Sequence, residues 1–188
     1  METKNNIEIE ARFLEIDKGS IIVKLLDLNA KDLGEETLDE IIFYDPERKW
    51  LEQKKVVRIR TYKKGTFVTY KDTSLETING TKEIEFEVHD VEKVQAFLES
   101  IGLKAFRKQQ KKRHTFLWGG VNIDIDEYPK IPTYLEIEGP SETLVKDTAR
   151  ALGLNWADAH FESVKDIIEK IYMIPLSNLS VYTFEHME

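Results

Sequence analysis

Two segments of the sequence place pairs of acidic residues on an alternating pattern of polar and apolar side chains. The segments are NNIEIEARF, with Glu8 and Glu10, and TYLEIEG, with Glu136 and Glu138. In a β-strand, residues i and i+2 point to the same face, so each pair projects two carboxylates about 7 Å apart. Carboxylate oxygens are the hard ligands that Mg²⁺ and Mn²⁺ prefer. Each pair is therefore either part of a metal site or simply an exposed strand face.

Basic side chains follow the same spacing in other segments. Arg58 and Arg60 lie on one face of a strand-like segment, Lys71 follows in the next, and Lys111 and Arg113 share one face further on. Guanidinium forks suit phosphate oxygens and the charge that develops during phosphoryl transfer. Salt bridges to neighbouring carboxylates would explain these residues equally well. Both interpretations hold if acids and bases pair until metal and substrate arrive.

The elements that must position these residues are predicted from periodicity. Alternation predicts about eight strands, at residues 6–13, 38–44, 56–62, 66–72, 82–88, 108–117, 121–126 and 133–138. Helical periodicity appears in DKGSIIVKLLDLNA, DVEKVQAFLESIGL, SETLVKDTARALGL and HFESVKDIIEKIY. Eight strands suit barrel closure. We therefore predict one α+β domain over residues 1–188, a mostly antiparallel eight-stranded barrel or tunnel with helices packed outside.

The two faces of the predicted strands differ sharply in chemistry. One face is apolar and suited to cover by helices, as at Ile7, Ile59, Ile84, Phe86 and Leu135. The opposite face is charged, and it points into the lumen if the helices pack outside. Unpaired buried charge is costly, so such a lumen requires water, metal or ligand. An open antiparallel sheet with one wetted face is the alternative.

The predicted inward set contains more acids than bases. The acids are Glu8, Glu10, Glu83, Glu85, Glu87, Asp124, Asp126, Glu136 and Glu138. The bases are Arg12, Arg58, Arg60, Lys71, Lys111 and Arg113. A metal-free tunnel with this composition should repel polyphosphate.

Composition restricts the possible ligands and locations. The chain has 188 residues, a formal net charge of −8 and no cysteine, so disulfides and thiolate metal sites are excluded. No run of eighteen apolar residues is present, and the start METKNNIEIE is polar, so we expect a cytoplasmic protein without a membrane span. The acidic balance argues against nucleic acid as a partner, although a basic pocket can hold a phosphorylated small molecule. A homodimer is compatible with the sequence.

The motifs in their order resemble the CYTH superfamily, the triphosphate tunnel metalloenzymes. They are Glu8-x-Glu10-x-Arg12, Arg58-x-Arg60, Lys71, EIEFEV, Lys111-x-Arg113, VNIDIDE and YLEIEG. Each motif alone is weak, but the ordered succession covers nearly the whole chain. The resemblance implies a tunnel of about eight antiparallel strands that binds a divalent metal and a triphosphate. Members include thiamine triphosphatases, inorganic tripolyphosphatases, RNA triphosphatases and class IV adenylyl cyclases.

The same resemblance implies roles for individual residues. The implied ligands of Mg²⁺ or Mn²⁺ are Glu8, Glu10, Asp126, Glu136 and Glu138. The implied substrate-binding residues are Arg12, Arg58, Arg60, Lys71, Lys111 and Arg113, together with the acidic pair Glu85 and Glu87. The implied catalytic residues are Arg12, Arg58 and Arg60.

The sequence departs from the family pattern at two places. Arg12 stands where the opening signature usually has Lys, and a guanidinium binds phosphate but does not give up its proton. The segment YPKIPTY precedes the last acidic pair where many members have a turn with Gly, and its two prolines should stiffen that connection.

The leading functional prediction is a divalent-metal-dependent phosphohydrolase that acts on a triphosphate. The substrate would be inorganic tripolyphosphate, thiamine triphosphate or a nucleoside triphosphate. The first alternative is a class IV adenylyl cyclase that converts ATP to cyclic AMP and pyrophosphate in the same tunnel. The second is a polyphosphate or nucleotide binder without turnover.

Overall fold

The fold is defined by a computed structural model that describes residues 7–75 and 77–188. Asn6, predicted as the first residue of a strand, lies outside the described residues. In these two ranges the strands are β1 (Ile7–Glu8), β2 (Glu10–Phe13), β3 (Lys31–Tyr44), β4 (Lys55–Tyr62), β5 (Gly65–Asp72), β6 (Thr81–Val88), β7 (Lys104–Trp118), β8 (Val121–Glu127), β9 (Tyr134–Glu138) and β10 (Val181–Tyr182). The α-helices there are α1 (Lys18–Asp27), α2 (Lys49–Glu52), α3 (Val91–Ser100), α4 (Glu142–Ala151) and α5 (Val164–Lys170).

The strands form one curled sheet in the order β1-β6-β5-β4-β3-β7-β8-β9-β2. All neighbours in this path are antiparallel, and β10 adds to β7 in parallel. β1 and β2 are separated by Ile9 alone, so one short segment joins both ends of the path. Counted as one strand, it makes eight strands around a nearly closed barrel. The predicted α+β barrel with helices outside is confirmed.

The long strands β3 and β7 exceed their predicted lengths. They pair along each other from Lys31 opposite Leu117 to Tyr44 opposite Lys104, with two register shifts. Backbone pairing with a long neighbour extends a strand past the residues whose side chains alternate. Side-chain periodicity therefore predicted the centre of each strand and missed its ends.

The four predicted helical segments contain α1, α3, α4 and α5, and each helix begins at a side-chain cap. Asp17, Asp90, Ser141 and Ser163 accept hydrogen bonds from the backbone N–H three residues later, at distances of 2.7 to 3.3 Å. Such caps satisfy a free N–H of the first turn. Helix α2 was not predicted, because four residues are too few to show helical periodicity.

Two helices cover the outer faces of β8 and β9. Ile123 and Ile137 are fully buried there, in one core cluster with Leu25 of α1 and with Val145 of α4. Elsewhere, Val57 and Ile59 of β4 pack in a cluster with Leu98 of α3. The charged residues between these apolar positions consequently face the interior of the barrel.

The outer face of β1 and β6 departs from prediction. Ile7, Ile84 and Phe86 are 48%, 43% and 55% exposed, so the expected helical cover is wrong for these residues. Helix α3, which follows β6 in the chain, contacts β7 instead. Among the helices of the described residues, none has the length and apolar content needed to cross a bilayer.

Candidate functional site

The interior of the barrel contains a cavity of about 440 Å³ whose lining is mostly polar and charged. Eleven of the thirteen predicted site residues line it, namely Glu8, Glu10, Arg12, Arg58, Arg60, Lys71, Glu85, Lys111, Arg113, Glu136 and Glu138. Asp126 and Glu87 do not. Cross-strand register explains the convergence: Arg12 lies opposite Glu136, which lies opposite Asp124 on the next strand.

The predicted excess of acids is not found among the residues that line the cavity itself. The acids that line the cavity are Glu8, Glu10, Glu36, Glu83, Glu85, Asp124, Glu136 and Glu138. The bases are Arg12, Arg58, Arg60, Lys64, Lys71, Arg107, Lys111, Arg113 and Lys165. The lining contains more bases than predicted because Lys64, Arg107 and Lys165 lie outside the alternating segments of the sequence. The site is distinguished by the uneven distribution of acidic and basic residues along the cavity.

Arg12 is held on three sides. Its guanidinium contacts Glu10 at 2.7 Å and Glu136 at 2.8 Å, and Nη1 donates to the backbone oxygen of Glu162 at 3.0 Å. The Arg12 side chain is almost completely buried. Burial lowers the pKa of Arg12, but Glu10 and Glu136 raise it by more, so the pKa lies above its ordinary value. A single-point lysine ammonium would not reproduce these three contacts.

Lys111 and Arg113 converge on Asp126. Lys111 Nζ lies 2.8 Å from Asp126 Oδ2, and Arg113 contacts both oxygens at 2.7 and 2.6 Å. The hydroxyl of Tyr134 donates to the same carboxylate at 3.1 Å. Burial, and then repulsion from Arg113, lowers the pKa of Lys111 to about 8. Asp126 is fully buried and would have to release these partners to coordinate a metal, whereas Asp124 lines the cavity directly.

Glu40 is a central residue that the sequence analysis did not identify. It is 2% exposed, accepts from Arg60 Nε at 2.7 Å and from Gln109 Nε2 at 2.5 Å, and lies 3.6 Å from Arg58. Burial raises the pKa of Glu40, but Arg60 and Arg58 lower it by more, so it lies below its ordinary value. The available signal was one acid between the apolar residues Leu38 and Ile42 on the same strand face.

Arg58 is held less tightly than the other arginines of the site. Its two ion pairs, with Glu40 and Glu83, measure 3.6 and 3.9 Å. Its Nε is buried and has no hydrogen-bond partner among the described residues. An unsatisfied buried donor is costly. Arg58 therefore has hydrogen-bonding capacity available for an oxyanion in the cavity.

The acids concentrate where β1 and β2 meet β6 and β9. Lys71 lies between Glu8 and Glu83, at 2.8 and 2.7 Å. Glu10 lies directly opposite Glu138. Burial, and then repulsion from Glu136, raises the pKa of Glu138 to about 7. Burial also raises the pKa of Glu8, while Lys71 opposes the shift.

The carboxylates of this acidic end are suitable ligands for a divalent cation, but their side chains are not yet arranged around a common site. In residues 7–75 and 77–188, no three acidic or histidine side chains form a ready metal cluster. The carboxylates of Glu8, Glu10 and Glu138 nevertheless supply desolvated hard oxygens that repel one another. A divalent cation would relieve that repulsion, so the donor set suits Mg²⁺ or Mn²⁺.

The predicted acidic pair of β6 divides between two environments. Glu85 lines the cavity and accepts a hydrogen bond from Thr69 at 2.8 Å. Glu87 is exposed and lies opposite Phe67 on β5, away from the cavity lining. Only the first of the two is therefore placed to contact a ligand in the lumen.

Comparisons with known proteins identify relatives in sequence and in fold. A 133-residue stretch is 28% identical to a candidate adenylate cyclase of Methanocaldococcus jannaschii, covering 70% of this chain and 76% of that protein. The solved structure of PH1012 from Pyrococcus horikoshii OT3 is 26% identical, with a TM-score of 0.69 over 83% of this chain and 96% of the other.

A more distant structure shares the fold. It is a candidate adenylyl cyclase from Hippeastrum described as having a dominant triphosphatase activity, 14% identical, with a TM-score of 0.64 over 90% of this chain and 98% of the other. At this identity the likeness shows the fold alone. The sequence profile of the CYTH domain matches residues 6–172, and the chain belongs to this family.

Proposed function

We propose that this protein is a divalent-metal-dependent phosphohydrolase that binds a triphosphate inside the barrel. The observation that carries the proposal is the convergence of Arg12, Arg58, Arg60, Lys111 and Arg113 on one cavity that also contains a separate acidic end. A chain of phosphates requires several cations in a row and a metal beside it. A simple salt-bridged core would need neither the cavity nor the unsatisfied Arg58 Nε.

The proposed metal ligands are Glu8, Glu10 and Glu138, with Glu136 shared between metal and Arg12. Bound Mg²⁺ or Mn²⁺ would supply Lewis-acid neutralisation of phosphate charge. Asp126 remains a proposed ligand only if Lys111 and Arg113 turn from it toward the substrate. That exchange is physically reasonable, because a phosphate chain offers both cations new anionic partners.

The proposed work of the basic residues is binding and orientation. Arg58 and Arg60 present two forks from the same face of β4, and Lys111 and Arg113 present two cations from β7. Positively charged donors from these two strands hold the phosphates in line and stabilise the charge that spreads over the transferred group. Arg12 stays protonated and so acts as an electrostatic and positioning group, not as a base.

A second candidate function is cyclisation of ATP to cyclic AMP and pyrophosphate. It is favoured by the archaeal relative, whose name is that of an adenylate cyclase. The cavity also has apolar lining at Leu33, Tyr62 and Leu117, a suitable surface for a nucleoside. Either reaction uses the same metal and phosphate contacts, and binding without turnover would use them too.

Product analysis tests the proposal. Purified protein is incubated with tripolyphosphate or with ATP, each with Mg²⁺ or Mn²⁺, and Arg58→Ala serves as the control. Orthophosphate released by the unaltered protein supports hydrolysis, and cyclic AMP with pyrophosphate supports cyclisation. Binding without any product would leave a binder, and failure to bind either compound would overturn all three functions.

A further inference from the structure

Arg107 is a buried cation of the cavity that none of the motifs contains. It belongs to β7, is 5% exposed, and lines the cavity two positions before Gln109. Its Nε donates to Gln109 Oε1 at 2.8 Å, and Nη1 donates to the backbone oxygen of Leu176 at 2.8 Å. Both hydrogen-bond partners are neutral.

This lack of an anionic partner separates Arg107 from the other buried bases of the cavity. Arg12, Arg58, Arg60, Lys71, Lys111 and Arg113 each have a carboxylate within 4.0 Å. Throughout the part of the chain that the structure describes, no carboxylate lies that close to the Arg107 guanidinium. Burying a charge without a counter-ion is expensive, and a neutral side chain would bind the Leu176 oxygen at lower cost.

The position of Arg107 defines which part of a ligand reaches it. Val164, Ile168 and Leu176 of the C-terminal segment line this end of the cavity, and Ile168 and Leu176 are 1% and 2% exposed. Leu33 and Lys64, by contrast, are exposed lining residues elsewhere on the cavity. The C-terminal segment therefore covers the end beside Arg107, which we call the closed end, and a ligand that enters past the exposed lining residues reaches Arg107 with its leading end.

Arg107 also lies in line with the phosphate ligands proposed above. Across the sheet, Ile42 of β3 lies opposite both Arg107 of β7 and Arg58 of β4. On β7, Arg107, Lys111 and Arg113 alternate onto the same face and line the same cavity. Arg107 thus extends the row of bases toward the closed end.

We propose that Arg107 forms a phosphate subsite at the closed end of the cavity, which takes the terminal phosphate of a bound chain. The inference rests on the proposed triphosphate ligand and adds its orientation: the unsubstituted end leads, and any organic group trails toward the exposed lining residues. Free orthophosphate offers the same chemistry, so the test must distinguish the two sources.

The test measures binding of tripolyphosphate and of orthophosphate, with Mg²⁺ present, by calorimetry. The variants are Arg107→Gln, Arg107→Lys and the control Arg150→Gln, which removes the same charge from an exposed position on α4. Loss of a hydrogen bond to a charged group predicts about 10- to 100-fold weaker tripolyphosphate binding in Arg107→Gln. Arg107→Lys should recover part of the affinity, and Arg150→Gln should bind like the unaltered protein.

The orthophosphate measurement identifies the source of the phosphate. Equal weak binding to the unaltered protein and to Arg107→Gln assigns the subsite to a chain end. Weaker orthophosphate binding to Arg107→Gln assigns it to free phosphate and overturns the chain-end assignment. If Arg107→Gln binds tripolyphosphate like the unaltered protein and only its melting temperature falls, the subsite is overturned. Arg107 then serves only to hold the C-terminal segment through its hydrogen bond to Leu176.

A measurement on the unaltered protein tests the subsite even if the Arg107 variants do not fold. The NMR signal of the Arg107 side-chain Nε–H should shift when tripolyphosphate is added, and a stationary signal would overturn the subsite. Binding of tripolyphosphate without an effect at Arg107 contradicts this inference alone. An unaltered protein that binds no phosphate chain contradicts both the inference and the proposed function.

Discussion

Nε of Arg60 lies 2.7 Å from Oε1 of Glu40, and both side chains are buried inside the barrel. The other oxygen of Glu40 accepts from Gln109, and Arg58 lies 3.6 Å away. One carboxylate therefore balances two guanidinium groups that line the cavity. Because an unpaired buried charge is costly, Glu40 is needed to keep Arg58 and Arg60 ordered without a ligand.

Replacing Glu40 should destabilise the fold strongly. Glu40→Gln keeps the size of the side chain but leaves Arg60 without its nearest anion, and breaking a buried pair costs about 3–5 kcal/mol. Urea unfolding at pH 7 measures the loss. Glu142→Gln, which removes an exposed i,i+4 pair with Lys146, is the control and should change stability by less than about 0.5 kcal/mol. Equal stability of Glu40→Gln and the unaltered protein would show that Glu40 does not balance these charges.

The same carboxylate predicts a dependence on pH. The pKa of Glu40 is lower in the folded protein than the ordinary value, so the folded state favours the ionised form. Its contribution to stability is fully present above the unfolded pKa of about 4.3 and is lost as pH falls toward the folded pKa. The stability difference between the unaltered protein and Glu40→Gln should therefore be constant from pH 6 to 7 and shrink below about pH 4.3. A difference that grows on acidification would contradict the assigned direction.

The sequence predicted which residues share the lumen better than it predicted their partners. Alternation at Arg58 and Arg60 identified their common face, because the two-residue repeat of a strand is a local property. Glu40 escaped notice because its partners Arg60 and Gln109 come from other strands, and only the register of the closed sheet brings them together. Arg107 escaped notice because the segment that closes its end of the cavity comes from residues far along the chain.

The acidic residues of β8 also show that local periodicity does not predict contacts between strands. Asp124 and Asp126 alternate onto one face, so their sequence positions are equivalent. In the structure Asp124 lines the cavity, while Asp126 is fully enclosed by Lys111, Arg113 and Tyr134. Which of two equivalent carboxylates is accessible depends on long side chains from neighbouring strands, and periodicity carries no information about that.

Replacing Arg12 with Lys, the residue that the family usually has at this position, should lower the stability of the fold. In Arg12→Lys, one ammonium cannot contact Glu10, Glu136 and the Glu162 oxygen with the geometry of a planar fork. Loss of one or more buried hydrogen bonds to charged groups predicts about 1.5–3 kcal/mol lower stability, measured by urea unfolding. Arg150→Lys, at an exposed position of α4, is the matched control and should leave the stability unchanged. A more stable Arg12→Lys would show that the three contacts of Arg12 do not stabilise the fold.

Removal of divalent metal should weaken the binding of a triphosphate. The acidic end formed by Glu8, Glu10 and Glu138 repels an approaching anion unless a cation neutralises it. Calorimetric titration with tripolyphosphate after chelation should give a lower affinity, and added Mg²⁺ or Mn²⁺ should restore it. Equal affinity with and without chelator would mean that the bases bind the chain alone and that the acids have another role.

Neutralising a proposed metal ligand and neutralising a proposed phosphate ligand should affect turnover in different ways. Glu138→Gln keeps the shape of the side chain but weakens a hard-cation site, so turnover should fall and recover in part at high metal concentration. Arg58→Ala removes a phosphate fork, and the lost contact should weaken binding about 10- to 100-fold with no rescue by metal.

The comparison of the two variants uses metal titrations of turnover, after circular dichroism has shown that each is folded. If the Arg58 contact strengthens as charge moves in the transition state, its loss lowers kcat and also raises KM. For Glu138→Gln, a shift of the metal titration to higher concentration is the distinguishing result. Full rescue of Arg58→Ala by metal, or unaltered turnover of Glu138→Gln at low metal, would show that the two residues are assigned to the wrong partners.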